Sequence, residues 1–267
     1  MSKKFDVTSN SIHRTGKKAY LTVNGVHRKV KKGYLTVNGI HKLVFQGDTP
    51  VGDIPVESSV FMNLNGVRTE FLVVHQGNPN SALYDASCDG TWLLKKTVYG
   101  TTDVDYGDNN ADYSTSYVRQ DVDAILSAFD ANVQNIIKTV KIPYYKGSGS
   151  SGSVASGASG LETKLFLLSG YEVGWTTANG SFPVDGAVLD YFKGTAAVDV
   201  KRAAYYDNGT NAAWWLRSTD PTSYKRAWDI YNGEAWCDTF NTVCAIRPAF
   251  IIPKDACVDD NFNIITD

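Results

Sequence analysis

The sequence predicts an α+β fold: small β-hairpin repeats first, then a body with two helices and a mostly antiparallel sheet. Three observations lead there. A 14-residue unit centred on Asn-Gly recurs near the start, two stretches in the middle carry apolar residues at helical spacing, and the second half consists of short alternating runs broken by turn residues.

The repeat comes first. Residues 17–30 read KKAYLTVNGVHRKV and residues 31–44 read KKGYLTVNGIHKLV, with a degenerate copy, KKFDVTSNSIHRTG, over residues 3–16. His13, His27 and His41 therefore recur at one phase. Asn24-Gly25 and Asn38-Gly39 each separate two strand-like runs, and Asn-Gly suits a turn whose two central residues need positive φ. A lone hairpin cannot bury its apolar face, so the units stack on each other or dock on another chain. One histidine per hairpin sets the equivalents too far apart for a shared metal, and lysine pairs on a small sheet commonly protect its edges. Residues 1–46 are therefore expected to be a docking or oligomerisation module rather than a metal or nucleic-acid site.

A Gly/Asp/Pro passage from Gln46 to Pro55 marks a boundary, and the body is expected over residues 51–267. Ser59–Leu64 and Thr69–His75 flank Asn65-Gly66 as a hairpin, and Trp92-Leu93-Leu94 centres another strand. The stretch from Tyr99 to Asp112 reads as an acidic loop. Over 114–129, Tyr117, Val118, Val122, Ile125, Leu126 and Phe129 fall at helical spacing, with Ser114 or Thr115 as cap. A second short helix is expected over 132–140, with Val133, Ile136, Ile137 and Val140 on one face. The segment GSGSSGSVASGASG at 147–160 reads as a flexible surface loop inside the body. Strand patterns resume at Lys164–Leu168 and end in the apolar run Ala245–Pro253.

With 267 residues, 43% of them hydrophobic and 20% charged, the chain can bury a core without covalent staples. A net charge of −2 gives no global attraction to nucleic acid or an anionic membrane, so neither partner is expected. No apolar run approaches the roughly 18 residues that span a bilayer. Two lysines without a following apolar segment do not make a secretory signal, so synthesis in the cytoplasm is expected. Cys88, Cys237, Cys244 and Cys257 are too scattered for a disulfide framework or a structural zinc site. Cys237 and Cys244 have room to face each other across a hairpin, but assembly in a reducing cytosol is the simpler expectation.

The sequence offers no catalytic constellation. His75 is the sole histidine outside the repeats and reads as structural, without a Gly-x-Ser-x-Gly elbow, a His-Glu-x-x-His pair or a phosphate-cradling loop. Asp103, Asp105, Asp108, Asn109 and Asp112 offer hard oxygens for calcium but lack the bidentate Glu of a helix-loop-helix site, so a solvated loop is preferred. No catalytic residue, metal or cofactor is assigned.

Near the C-terminus, Trp214 and Trp215 read as core, but the stretch from Tyr224 to Asn241 differs. Trp228, Tyr231, Trp236 and Phe240 alternate there with Asp229, Asn232, Glu234 and Asp238 around Asn232-Gly233. Aromatic residues supply contact area at low entropy cost and small polar residues supply adaptable hydrogen bonds, which is the make-up of a contact surface.

At these residues the chain resembles an uncharacterised domain family of Firmicutes and their phages. The resemblance rests on WWLRS (214–218) and IRPAF (246–250), with GNPNSALYDASCDGTWLL (77–94), VKIPY (140–144), KLFLLSGYEVGW (164–175) and VDGAVLDYF (184–192) upstream, and spans about residues 51–253. It implies a C-type-lectin-like body, similar to phage tropism determinants, variable proteins of diversity-generating retroelements and formylglycine-generating-type enzymes. The N-terminal repeats also resemble segments of phage structural proteins. Such proteins display a variable face just before the last conserved strand, here 219–243. Adenine mutagenesis of Asn codons is compatible with Tyr224, Asp229, Tyr231, Asn232, Asp238, Phe240 and Asn241, but not with Trp228, Glu234 or Trp236, which would be scaffold.

The resemblance thus implies a phage or prophage receptor-binding protein, located on the virion tail or the bacterial cell exterior. Tyr224, Trp228, Asp229, Tyr231, Asn232, Glu234, Trp236, Asp238, Phe240 and Asn241 would bind a bacterial surface protein or glycan in host adhesion. The repeats would dock on a tail or baseplate protein or on sister subunits, as a trimer by analogy with phage fibres. The alternatives are a formylglycine-generating-type enzyme or calcium-dependent glycan binder on the same fold, and a purely structural virion protein. The Glu-Pro-Asn, Gln-Pro-Asp and Trp-Asn-Asp motifs of calcium-dependent lectins are missing from the sequence.

Overall fold

The computed structural model describes residues 20–23, 26–29, 32–37, 40–46, 48–107, 111–147, 149–175, 182–196 and 198–266, with side chains from residue 48 onward except those of 101–104. The chain divides into two compact units, Met1–Thr49 and Pro50–Asp267.

In the first unit, β1 (Tyr20–Val23) pairs antiparallel with β2 (Val26–Lys29), and β3 (Lys32–Val37) with β4 (Ile40–Gln46). Val23 faces Val26 and Val37 faces Ile40, so two residues separate the strands of each pair, as expected for an Asn-Gly hairpin. Thr22 faces His27 and Thr36 faces His41, so these two copies share register as well as sequence. The degenerate copy and His13 lie outside the described residues.

The second unit follows β5 (Thr49–Pro50) with the hairpin of β6 (Ser59–Leu64) and β7 (Val67–Gln76). Its Asn65 and Gly66 have φ of 53° and 73°, the conformation of a type I′ turn. Every residue of β8 (Thr91–Lys95) is buried, as in a central strand. Tyr99–Val104 then forms β9, which corrects the reading of 99–112 as loop throughout. The strand has little local signal and is recruited by pairing, with Tyr99 opposite Ile246 and Val104 opposite Cys244.

Helix α1 (Tyr117–Ala124) begins later than expected, because Tyr113–Thr115 forms a 3-10 turn capped by Asp112. The cap of α1 is Ser116, whose Oγ accepts from Arg119 N at 3.1 Å. Helix α2 covers Ala131–Ile136, short of the expected 132–140. Val140–Ile142 is instead β10, and an apolar run of that length does not by itself distinguish helix from strand. After β11 (Tyr144–Lys146), the Gly/Ser segment contains β12 (Ser153–Ala155), paired with β11. Tyr145 Oη donates to Gly149 O at 2.7 Å, and a Cβ on Gly152 would stand 2.6 Å from Cζ of Tyr145. The segment expected to be a flexible loop is thus packed on Tyr145, and its small residues make room for that ring.

β13 (Leu161–Thr163) pairs with β10, and β14 (Leu165–Phe166), β15 (Ala204–Tyr205) and β16 (Asn211–Ala212) follow. The remaining strands are β17 (Trp214–Thr219), β18 (Arg226–Tyr231), β19 (Glu234–Thr239), β20 (Cys244–Ile246), β21 (Ala249–Ile252), β22 (Cys257–Val258) and β23 (Ile264–Ile265). Two five-stranded sheets dominate, ordered β14-β21-β8-β7-β6 and β19-β18-β17-β20-β9. The pair β17–β20 runs parallel while the other pairs of these two sheets run antiparallel, so the fold is α+β with mostly antiparallel sheets and two short helices among the described residues. No helix among the described residues is long and apolar enough to cross a membrane.

At two places consecutive strands lie one in each five-stranded sheet, β8 to β9 and β20 to β21, and Arg247 joins these two direct crossings. It is buried, donates from Nε to Lys95 O at 2.9 Å and from Nη2 to Lys96 O at 3.1 Å, and lies over the Trp214 ring. Trp92, Trp214 and Trp215 are fully buried, with edge contacts from Trp92 to Phe166 and from Trp215 to Tyr106. Rings of this size dominate core energetics.

Candidate functional site

The hairpin β18–β19 forms one border of its sheet, with β19 as the outer strand. Asn232 and Gly233, at φ of 53° and 80°, give it a type I′ turn. The turn is held from below. Gly233 O accepts from Arg202 Nη1 at 2.9 Å, and Arg202 is itself buried, with Nε donating to Val173 O and Nη2 to Thr195 Oγ1.

Register assigns the side chains to two faces. Arg226 opposes Thr239, Trp228 opposes Cys237 and Ile230 opposes Ala235; on the alternate face, Ala227 opposes Asp238, Asp229 opposes Trp236 and Tyr231 opposes Glu234. A cavity of about 330 Å³ opens at this border, lined by Asp220, Arg226, Trp228, Glu234, Ala235, Trp236 and Cys237. Trp228 is buried and stacks on Phe182 with ring centres 4.0 Å apart, and its Nε1 finds no hydrogen-bond partner. Trp236 is 51% exposed. Arg226 pairs with the buried Asp220 at 2.6 Å, and Cys237 Sγ lies 3.7 Å from the same carboxylate. Burial, with Asp220 beside it, pushes the Cys237 thiol up to about 12, so it is not a thiolate at neutral pH.

The structure divides the ten residues expected to bind ligand. Trp228, Glu234 and Trp236 line the cavity; Tyr224, Tyr231, Asn232 and Asn241 are exposed around the hairpin; Asp238 and Phe240 are half-buried. Phe240 packs against the core, and its backbone N donates to Lys225 O at 2.8 Å. Asp229 is 2% exposed and is not among the residues that line the cavity, although its cross-strand neighbour Trp236 is. Burial, with Asp238 nearby, pushes the Asp229 carboxyl up to about 7. Asp220, Arg226 and Cys237 were missed as lining residues. Alternation from Trp228 reaches Arg226, and the cross-strand register reaches Cys237, but Asp220 follows a register shift in β17 that has no local sequence signal.

Behind the hairpin, WWLRS, SGYEV and VDGAV converge on a buried polar network. Arg217 Nε donates to Pro143 O (3.0 Å), Nη1 to Leu167 O (2.8 Å) and Glu172 Oε2 (2.5 Å), and Nη2 to Glu172 Oε1 (2.6 Å) and Asp185 O (2.9 Å). Tyr84 Oη donates to Glu172 Oε1 and Ser218 Oγ to Asp185. Burial pushes the Asp185 carboxyl up to about 7, against the pull of Arg217 and Ser218. These groups are nine-tenths or more buried and bonded to one another, which makes the network a structural support. His75 Nδ1 lies 2.8 Å from Asp190 Oδ2, and burial lowers the histidine's pKa. Of the acidic loop, Asp108, Asn109 and the side chain of Asp103 lie outside the described residues, while Asp112 Oδ1 accepts from Ser114 N and Oδ2 from Gly147 N. Cys237 and Cys244 are not disulfide-bonded; they lie on β19 and β20, with β18 and β17 between those strands.

The profile of the family described as a domain of unknown function (DUF6273) matches residues 89–254, more than half of the chain, which therefore belongs to that family. No curated protein and no solved structure matches the chain.

Proposed function

As a member of this domain family the chain takes its functional reading from its site, and we propose that it is a non-enzymatic ligand-binding protein of phage or prophage origin. Its body, two mostly antiparallel sheets with two short helices, is read as a C-type-lectin-like scaffold. The hairpin at 226–239 presents the ligand-binding face to a bacterial surface protein or glycan, and the N-terminal hairpins attach the chain to a tail or to sister subunits. The observation that carries the reading is the open cavity between buried Trp228 and half-exposed Trp236 on an outer hairpin. Two tryptophans beside Asp220, Arg226 and Glu234 suit a ligand with one apolar and one polar side. Several copies on one particle would multiply weak single-site binding. The high thiol pKa of Cys237 weighs against the formylglycine-generating-type alternative.

The test is adsorption of fluorescently labelled protein to a panel of Firmicutes cells and to their isolated surface glycans. Trp236→Ala is expected to weaken binding by about tenfold or more, as for a central aromatic anchor, with thermal stability unchanged. Binding unaltered by this substitution refutes the assignment of the face. Trp236 is a better probe than Phe240, whose contact with the core would confound folding with binding. The position of β19 at the border of its sheet favours one second reading, a subunit interface. In that case Tyr231→Ala and Trp236→Ala abolish particle assembly instead of adsorption.

A further inference from the structure

On the face of the hairpin opposite Trp228, three donors converge from three strands. Asp229 of β18, Asp238 of β19 and Cys244 of β20 each offer one atom to a group whose members all lie within 4.8 Å of one another. A second observation points to a ligand there. Asp229 is 2% exposed, and its Oδ1 has no hydrogen-bond partner. Native structures rarely leave a buried carboxylate oxygen so, and an unplaced ion is one of the ordinary explanations. No ion pair among the described residues involves Asp229 or Asp238, so no protein cation is seen to offset their charge.

We propose that Asp229, Asp238 and Cys244 form a binding site for a divalent transition-metal ion of the zinc class. The donor set makes the choice of ion. A thiolate beside two carboxylates disfavours Ca²⁺ and Mg²⁺, which take oxygen ligands, and suits a borderline ion such as Zn²⁺. Around tetrahedral zinc, with ligands at about 2.0–2.3 Å, neighbouring donors stand about 3.5 Å apart, so the three atoms need to close by little more than about 1 Å. A fourth position stays open to water or to a ligand group, and Asp238, half-buried, offers access from solvent. The ion would tie β18, β19 and the start of β20 together, clasping the turn 240–243 and stiffening the hairpin that carries the cavity. Sequence spacing conceals the site, because Asp229, Asp238 and Cys244 resemble no local metal motif and meet only through strand pairing and the turn.

The experiment uses the full chain, stripped of metal with chelator, and titrates it with Zn²⁺ against a chromophoric competitor and with Co²⁺ by absorption spectroscopy. One ion per chain is expected, with a cobalt–thiolate charge-transfer band. Cys244→Ser is expected to remove the band. Asp238→Asn, at a half-buried position that the fold tolerates, is expected to weaken Zn²⁺ binding more than about tenfold, since loss of even an outer partner costs that much. Circular dichroism checks that each variant keeps its fold. Failure of the wild-type chain to bind Zn²⁺, or binding that both variants leave unchanged, as it would be if the repeat histidines held the ion, overturns the proposal.

Discussion

Replacing Gly233 and Gly66 by alanine, one at a time, measures how much of an Asn-Gly turn is local. Both glycines follow an asparagine at φ 53°, and they themselves sit at 80° and 73°. By backbone alone the two substitutions cost the same, about 1–2 kcal/mol for holding an L-residue in the left-handed region. Their surroundings differ. A Cβ on Gly66 meets nothing within 4 Å, whereas one on Gly233 falls on the Asp199 carbonyl, with its carbon 2.8 Å away and its oxygen closer still. That carbonyl cannot retreat freely, because Asp199 N donates to Gly233 O at 3.3 Å and buried Arg202 donates to the same oxygen at 2.9 Å. Relieving the clash separates these groups and loses a charge-assisted hydrogen bond worth about 1.5–3 kcal/mol. Gly66→Ala is therefore expected to cost about 1–2 kcal/mol and Gly233→Ala about 3–5 kcal/mol. All 6 tryptophans lie between residues 92 and 236, so their fluorescence during urea unfolding follows the Pro50–Asp267 unit. With an m value of about 2 kcal/mol/M, the midpoints fall by about 0.5–1 M and 1.5–2.5 M. Equal losses, within about 0.5 kcal/mol, would refute the tertiary lock on Gly233.

Two further outcomes follow from buried titratable groups. Asp185 holds its proton up to about pH 7 in the folded chain, against an ordinary value of 3.8. The folded state therefore binds more protons than the unfolded state between those values, and this group's contribution to stability declines as pH rises through that window. Asp185→Asn cannot ionise, so urea unfolding is expected to show the variant gaining on the wild type from about pH 5 to about pH 8; a flat difference contradicts the assignment. For Cys237, a thiol raised from 9.0 to about 12 has about a thousandfold less thiolate at neutral pH than an unperturbed one. Site-resolved mass spectrometry after iodoacetamide treatment near pH 7.5 is expected to find Cys237 unlabelled; labelling at the rate of free glutathione would show that the side chain is neither buried nor held by Asp220.

Local chemistry made parts of the fold legible. Asn65-Gly66 and Asn232-Gly233 announced their hairpins because few residue pairs accept two successive positive φ values. The aromatic and polar mixture of 224–241 pointed to the hairpin that carries the cavity, and Trp214 and Trp215 were expected in the core, where they lie. The misreadings came where distant pairing outweighed local preference. Tyr99–Val104 becomes a strand because β20 lies beside it, and Val140–Ile142 leaves the helical pattern to pair with Leu161–Thr163.

By itself, then, the sequence determined the α+β class, the positions of the tight turns and the location of the aromatic hairpin, all properties of neighbouring residues and their backbone preferences. Only the tertiary structure decided which side chains that hairpin offers. Packing buries Asp229 beside Asp238 and Cys244 while its cross-strand neighbour Trp236 lines the cavity, and Asp220, just past the end of β17, holds Arg226. Arg202, distant in sequence from the turn, fastens Gly233 from beneath. The physical reason is common to all of these. Alternation along a strand says that neighbours point to opposite sides, but which side is buried, and what else comes to meet it, depends on the packing of the sheets and the path of the chain between them.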